Sequence, residues 1–571
     1  MLIRRHVISL SFLCIAPLIF TYPLVLHLPT HKQGIGDNII TMWVTAWQVH
    51  ALQTPGETFW DANILHPYRN TLALSVSPVV FLPLAAPILW LTDNPNLMEN
   101  LILLISMILS GVSLYLFCYS QTKNRFSSVL AGLVFSCCPE RVFRLIQPHL
   151  INPIFFGVVL WFASRFLNGK RLVDLYGLAL SMVLQFLTSV YLFVFTGCAL
   201  LVFFANDFPR IRENWRIWIR HSLFALVLML ALVAPFAYPY IQNRVAYEYD
   251  DISEGIVDLS ARPADFLIAP DYSLLYAWTC GAFFVPRETP GYDIPEFLFP
   301  GFCAIGVFFY ACVQLFRKGI RKSDPTLRFG VFLTLTGFIL ALGPWLHIGT
   351  KATFVPLPGL LLYKIIPGFS VIRAPARFAV LVSAGLGITL AAAVPNLCDQ
   401  FRRGHKVLLV VLLCLVTLEY LNKPLPIKPI PLKDQIPAVE RWLSTRPERV
   451  VIHYPLRYHY GYMYFSMWHW KRLINGWSSY MPKEFFDNFA RLNTLPSPEA
   501  VETLTRFGAE LIIIHRSLTT DPPMMELEPI EIGGTNYYIS EMEKQPDLFE
   551  KIYNDGASVV FRFLRGKNGL T

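Results

Sequence analysis

Residues 173–205 read VDLYGLALSMVLQFLTSVYLFVFTGCALLVFFA, and the way this stretch is cut decides the topology of the whole chain. About 20 apolar residues cross a bilayer as a helix, because each backbone N–H and C=O must find its partner inside the segment. The stretch is broken at Thr188-Ser189, so it is either two short spans or one long tilted one. Basic clusters arbitrate, since Lys and Arg gather on the cytoplasmic side of a membrane protein. They stand at Arg4-Arg5, Lys123/Arg125, Lys170-Arg171, Arg210/Arg212/Arg216/Arg220, Arg317/Lys318/Arg321/Lys322 and Arg402/Arg403/Lys406. A hairpin leaves all six on one side; a single span moves the later ones across. The hairpin is therefore the better reading.

Working outward, spans are expected near 7–27, 97–119, 127–146, 152–168, 173–188, 190–205, 221–240, 297–316, 328–346, 373–394 and 406–422. The first lacks a small-residue cleavage site and reads as a retained helix. About eleven crossings put the N-terminus in the cytoplasm and the C-terminal segment outside. External loops 28–96, 241–296 and 347–372 are then long. Residues 72–92 are apolar, but Pro78, Pro83 and Pro87 remove helical hydrogen bonds, which favours an interfacial or re-entrant segment.

Composition agrees with a membrane body. Of 571 residues, 54% are hydrophobic and 15% charged, against about 25% charged in soluble domains. The formal charge of +9 is spread in short clusters and forms no single stripe, so nucleic acid is excluded as a partner. The 10 Cys include no CxxC pair and sit mostly in apolar runs, which excludes a disulfide framework. After the membrane domain 1–423, residues 424–435 form a proline-rich, extended linker. Residues 436–571 read as a soluble α/β domain. Its helices are expected at 436–444 and 497–507, and its strands at 449–454, 510–515, 536–540 and 557–564. The fold class is thus an α-helical polytopic membrane protein with a C-terminal soluble α/β domain.

The sharpest local motif is Gly34-Ile-Gly36-Asp37-Asn38, just past the first helix. Trp43, Trp47 and His50 follow at helical spacing, which puts two indoles and an imidazole on one face of a helix lying along the membrane surface, as an anchor or a ligand platform. A first helix leaving the cytoplasm, a long external loop with Gly-Asp near its start, interfacial helices and a proline-bearing apolar stretch follow one another in this order. The arrangement resembles the GT-C class of membrane glycosyltransferases, in particular the lipid A aminoarabinose transferases and protein O-mannosyltransferases. The resemblance covers roughly residues 1–240 and implies that Asp37 is the catalytic acid. Those families usually place a second acid before a Pro that opens the fourth span. Here the matching dipeptide is Asn152-Pro153, and Asn carries no charge. Glu140 can substitute for it, within Glu140-Arg141-Val-Phe-Arg144-Leu-Ile-Gln-Pro-His149. Arg141, Arg144 and His149 suit a lipid-linked phosphate; equally, Glu140 and Arg144 can pair at i,i+4.

Two further sets complete the candidates. Arg373 and Arg377 lie one turn apart at the outer start of a span, against the positive-inside preference, and suit either a phosphate or the acidic 241–296 loop. His469, Lys471, Asn475 and Ser478, interleaved with Trp468, Trp470 and Trp477, suit either a sugar or the packing of the tail. Uncharacterised bacterial GT-C-related membrane proteins look similar at both places. His453 and His515 have no metal-ligand spacing and receive no role.

The expected activity is transfer of a sugar from a polyprenyl-phosphate donor to a glycan, lipid or protein acceptor on the external face of a bacterial inner membrane. No metal is expected, although GT-C relatives differ in needing a divalent ion such as Mg or Mn. The alternative is a non-catalytic GT-C scaffold that binds lipid-linked glycans or assists envelope assembly, which Asn152 favours. A transporter is disfavoured because the expected mid-span regions are almost free of ionisable groups.

Overall fold

The computed structural model describes residues 2–169, 171–213, 215–248, 253–286, 296–349, 351–366, 369, 372–399, 405–517 and 529–564. The basic residues Lys170, Arg402 and Arg403, and the acidic Asp250, Asp251, Glu288 and Asp293, lie outside the described residues.

Each apolar run read from the sequence carries a helix. They are Leu2–Phe20, Pro95–Thr122, Arg125–Cys137, Phe156–Gly169, Leu172–Thr188, Val190–Asn206, Trp215–Ala246, Phe302–Lys318, Pro325–Ala341, Ala379–Asp399 and His405–Glu419. Residues 173–205 form two helices, with Ser189 extended between them at φ −167°. Among the described residues, three segments are long and apolar enough to cross a membrane: Pro95–Thr122, Arg220–Ala246 and Pro375–Cys398.

Two boundaries differ from expectation and move candidate residues. The run 127–146 is helical only to Cys137; Pro139 and Pro148 then open short turns at Pro139–Phe143, Arg144–Ile146 and Pro148–Leu150. Glu140, Arg141, Arg144 and His149 therefore sit on a folded loop. Likewise Pro375 keeps Ala374 out of the helical region, at φ −119° and ψ 91°. Arg377 is consequently in the 3-10 turn Pro375–Phe378, and the helix begins at Ala379, so Arg373 and Arg377 do not share a helical face.

The chain divides into two compact units. The first comprises Met1–Leu26, Ile102–Ala234 and Asp251–Pro426, and the second His27–Leu101, Pro235–Asp250 and Ile427–Thr571. In the first, Pro325–Ala341 packs closely on Ala379–Asp399 because glycines face backbone. A Cβ on Gly330 would stand 2.7 Å from Thr389 N, and one on Gly385 2.5 Å from Thr334 N. Small residues at helix crossings are the usual route to close packing where water supplies no drive.

The second unit joins the first long loop to the tail. Residues 427–429 of the expected linker are a strand, paired antiparallel with His31–Gln33 so that His31 faces Pro429 and Gln33 faces Ile427. Its sheet comprises β1 (Val450–Tyr454), β2 (Arg472–Leu473), β3 (Leu511–His515), β4 (Phe549–Asn554) and β5 (Ser558–Phe563), in the order β2-β1-β3-β5-β4. β1 is parallel to β2 and β3; β5 is antiparallel to β3 and β4. Every residue of β1 and β3 is buried, as befits strands covered on both faces. The strand expected at 536–540 is instead part of the helix Pro529–Glu543. Its Tyr-Tyr-Ile run looks extended locally, but Ile539 and Met542, three apart, both enter the core under the sheet.

Candidate functional site

Asp37 opens the helix Asp37–Gln53. Gly36 precedes it at φ +148°, a conformation that side chains rarely adopt, and so turns the chain from the strand His31–Gln33 into the helix. The amide of Asn38 locks that turn, donating to Gln33 O at 2.8 Å and Gly34 O at 3.0 Å. Thr41 Oγ1 donates to Asp37 O at 2.6 Å. The half-buried carboxylate thus lies in the first helical turn, where the helix dipole favours its charge. Tyr460, on the helix His459–Ser466, is its electrostatic neighbour: burial, and then the Asp37 charge, push its phenol up. Sequence reading missed Tyr460, which carries no local signal.

Lys32, from the same strand, is fully buried with no hydrogen-bond partner for Nζ. Burial lowers its ammonium to about 8, against the opposing pull of the Glu99 carboxylate.

The aromatic helix is not a surface helix. Residues 38–49 are buried throughout, including the polar stripe of Asn38, Thr41, Thr45 and Gln48. Trp43 donates to Asn63 Oδ1 at 3.1 Å, and Trp47 to Phe59 O at 3.2 Å; both indoles are 1% exposed and serve the core. His50 remains half-exposed and stacks on Trp470, with centroids 4.4 Å apart at 16°. Burial lowers His50 to about 4. Of the three, this His50–Trp470 pair alone keeps a ring near the surface.

The tail residues also turn inward. Asn475 accepts from His453 N at 2.7 Å and donates to His453 O at 2.9 Å, imitating a strand partner for β1. Lys471 Nζ donates to Arg446 O and Glu448 O at 2.7 and 2.6 Å. The His469 side chain is wholly buried, 3.2 Å from Glu440 Oε2. These groups hold the domain together and present no polar edge to a sugar.

In the first unit, Arg144 collects three acceptors: Glu140 Oε1 at 3.2 Å, Gln147 Oε1 at 2.7 Å and Glu296 Oε2 at 3.1 Å. Ser383 Oγ donates to the other oxygen of Glu140 at 3.4 Å. Glu140 is therefore committed to the i,i+4 pair and is not an available base. Arg141 donates to Leu150 O at 3.0 Å, and its buried Nε has no hydrogen-bond partner. Asn152 is 2% exposed, and its Oδ1 likewise has none. His149 lies in the field of two arginines: burial, then Arg377 and Arg144, hold its imidazole well below the usual range. The Arg377 guanidinium covers the Tyr191 ring at 4.9 Å. Arg144, His149 and Arg377 thus share one basic neighbourhood around the buried Arg141 and Asn152 loop. Arg373 comes shortly before Arg377 and lies outside any regular element.

Comparison by sequence finds no matching family model and no matching curated protein. Comparison by structure does. The arabinofuranosyltransferase AftD from mycobacteria superposes with a TM-score of 0.63 at 13% identity, over 99% of this chain and 40% of that one. The oligosaccharyltransferase AglB of Archaeoglobus fulgidus, solved with an inhibitory peptide and a dolichol-phosphate, gives 0.50 at 12%, over 98% and 75%. The chain spans less than half the length of AftD. At such identities the likeness is one of architecture, and both neighbours are GT-C membrane glycosyltransferases. The chain has the fold of that class.

Proposed function

We propose that the protein is a membrane glycosyltransferase that moves a sugar from a polyprenyl-phosphate carrier to an acceptor hydroxyl at the outer face of a bacterial inner membrane, its N-terminus in the cytoplasm. The position of Asp37 supports this most: a half-buried carboxylate fixed by Gly36 and Asn38 in the first turn of a helix, within a GT-C fold. Asp37 takes the proton of the acceptor hydroxyl. The freed oxygen attacks the anomeric carbon from the face opposite the carrier, the glycosidic bond to phosphate breaks, and the configuration inverts. Negative charge develops on the departing lipid phosphate and calls for basic side chains to stabilise it. Lipids are the second partner, since the carrier is delivered within the bilayer.

The residues at the expected second-acid position do not suit a divalent ion. Glu140 is bound by Arg144 and Ser383, and Asn152 offers one uncharged oxygen. No step is routed through a metal. The same Asn152 favours a second reading, a non-catalytic scaffold that binds lipid-linked glycans. Substitution of Asp37 by Asn separates the two. On the transferase reading, turnover of a purified polyprenyl-phosphate sugar falls at least ~100-fold while the protein stays folded. An unchanged rate, or a wild type that binds the carrier and never turns it over, removes the catalytic proposal.

A further inference from the structure

A second constellation lies in the sheet-bearing unit, independent of the transferase reading. Glu440 comes from the helix Ala438–Ser444, His453 from β1, His515 from the end of β3, and His469 from the segment after the helix His459–Ser466. All four side chains are at most 1% exposed. Burying an ionised carboxylate is costly unless it is paired or bound to a metal. Yet both oxygens of Glu440, and Nε2 of His453 and His469, have no hydrogen-bond partner. The ammonium that His469 feels is spent elsewhere, since Lys471 Nζ donates to Arg446 O and Glu448 O. Among the described residues, no Lys or Arg pairs with Glu440.

The geometry supplies what is missing. His453 Nδ1 and His515 Nε2 are 3.0 Å apart; Glu440 Oε1 lies 3.7 Å from the first and 3.9 Å from the second. The point equidistant from three atoms with those separations is about 2.1 Å from each, which is the bond length of zinc to imidazole nitrogen and carboxylate oxygen. Glu440, His453 and His469 also meet one another at ligand spacing. We propose that Glu440, His453 and His515 form a buried divalent-metal site of zinc type, with His469 held against the second carboxylate oxygen. The outer contacts agree. His515 Nδ1 is 3.0 Å from Ser558 Oγ, an arrangement that fixes the ring and leaves Nε2 for the ion. His469 Nδ1 accepts from Lys471 N at 3.1 Å, and its Nε2 stands 3.2 Å from Glu440 Oε2. Two imidazoles and a carboxylate suit zinc better than Mg or Ca, which prefer oxygen. With every ligand buried, the ion would be structural, tying the helix Ala438–Ser444 to the two central strands. Binding it breaks the hydrogen bond between His453 Nδ1 and His515 Nε2, and the proton of that bond moves to an outer ring nitrogen or to solvent.

The test uses the full chain, tag-free and purified in detergent without chelator. Elemental analysis is expected to find one zinc per chain. After removal of the metal, Co2+ is expected to restore it with the visible ligand-field bands of nitrogen and oxygen ligation, and to raise the melting midpoint. Glu440→Gln lowers the bound metal at least ~10-fold, and Ser558→Ala weakens Co2+ binding ~10-fold by freeing the His515 ring. Because either variant is open to misfolding, the wild type decides: a folded wild-type chain that carries no metal and whose melting responds to neither Zn2+ nor Co2+ overturns the proposal. Full metal content in a folded Glu440→Gln protein does so as well.

Discussion

Glu140 and Glu440 are both buried carboxylates, yet the protein treats them in opposite ways. Glu140 has its counter-charge within the chain: Arg144 reaches it at 3.2 Å and is itself shared with Glu296. Among the described residues, the ionisable partners of Glu440 are imidazoles, and burial lowers them, His453 and His469 to about 3 and His515 to about 4. A buried ion pair is complete when folding ends, whereas a buried carboxylate among neutral rings is complete only when a cation arrives from solution. The first is a scaffold element and the second a docking point, and sequence alone does not tell them apart.

The comparison breaks most visibly at Arg144. Arg144→Met leaves Glu140 buried and uncompensated and should cost about 3–5 kcal/mol, read as a fall in melting midpoint or loss of the monodisperse peak. Adding Glu140→Gln removes the stranded charge and should recover most of that loss. Glu440→Gln should behave differently. Against metal-loaded wild type it lowers stability, by about 2.7 kcal/mol when free metal stands at a hundred times its dissociation constant. Against metal-free wild type it should be neutral or stabilising, because it deletes an unpaired buried charge. This reversal of sign, seen by melting with and without chelator, is specific to the docking point. The smallest effect concerns Glu448, which is exposed enough to stay ionised. Burial would raise it, but hydrogen bonds from Arg446 and Arg562 outweigh that and hold it at about 2. A carboxylate held below its unfolded value adds stability above the unfolded pKa and loses it as pH falls through the folded one. The Glu448→Gln difference in melting should therefore be present at pH 6 and fade between about pH 4.5 and 2.

Much of the scaffold was readable in the sequence because long apolar runs have few alternatives: each forms a helix, and the Thr188-Ser189 break falls where two of them meet. Errors gathered where local pattern and tertiary packing disagree. The Asp37–Gln53 helix looks like a surface helix from three aromatic residues, but its polar stripe of Thr41, Thr45 and Gln48 is buried as well. Residues 536–540 look like a strand from their aromatics, yet the core they fill accepts a helix. Asp37 was legible because glycines and an acid at a helix start leave a compact signature. The Glu440 cluster was not, since residues 440, 453, 469 and 515 meet only through the sheet's strand order. Tyr460 was hidden for the same reason.

The ribbon between residues 31–33 and 427–429 ties the two ends of the chain's biosynthesis together. The ribosome makes the earlier strand long before its mate exists, so the acid-bearing turn that follows it waits without that partner while the intervening helices are made. Chains released before residues 427–429 are made would lack that clasp, and the Gly36-Asp37 turn would be left without its paired strand.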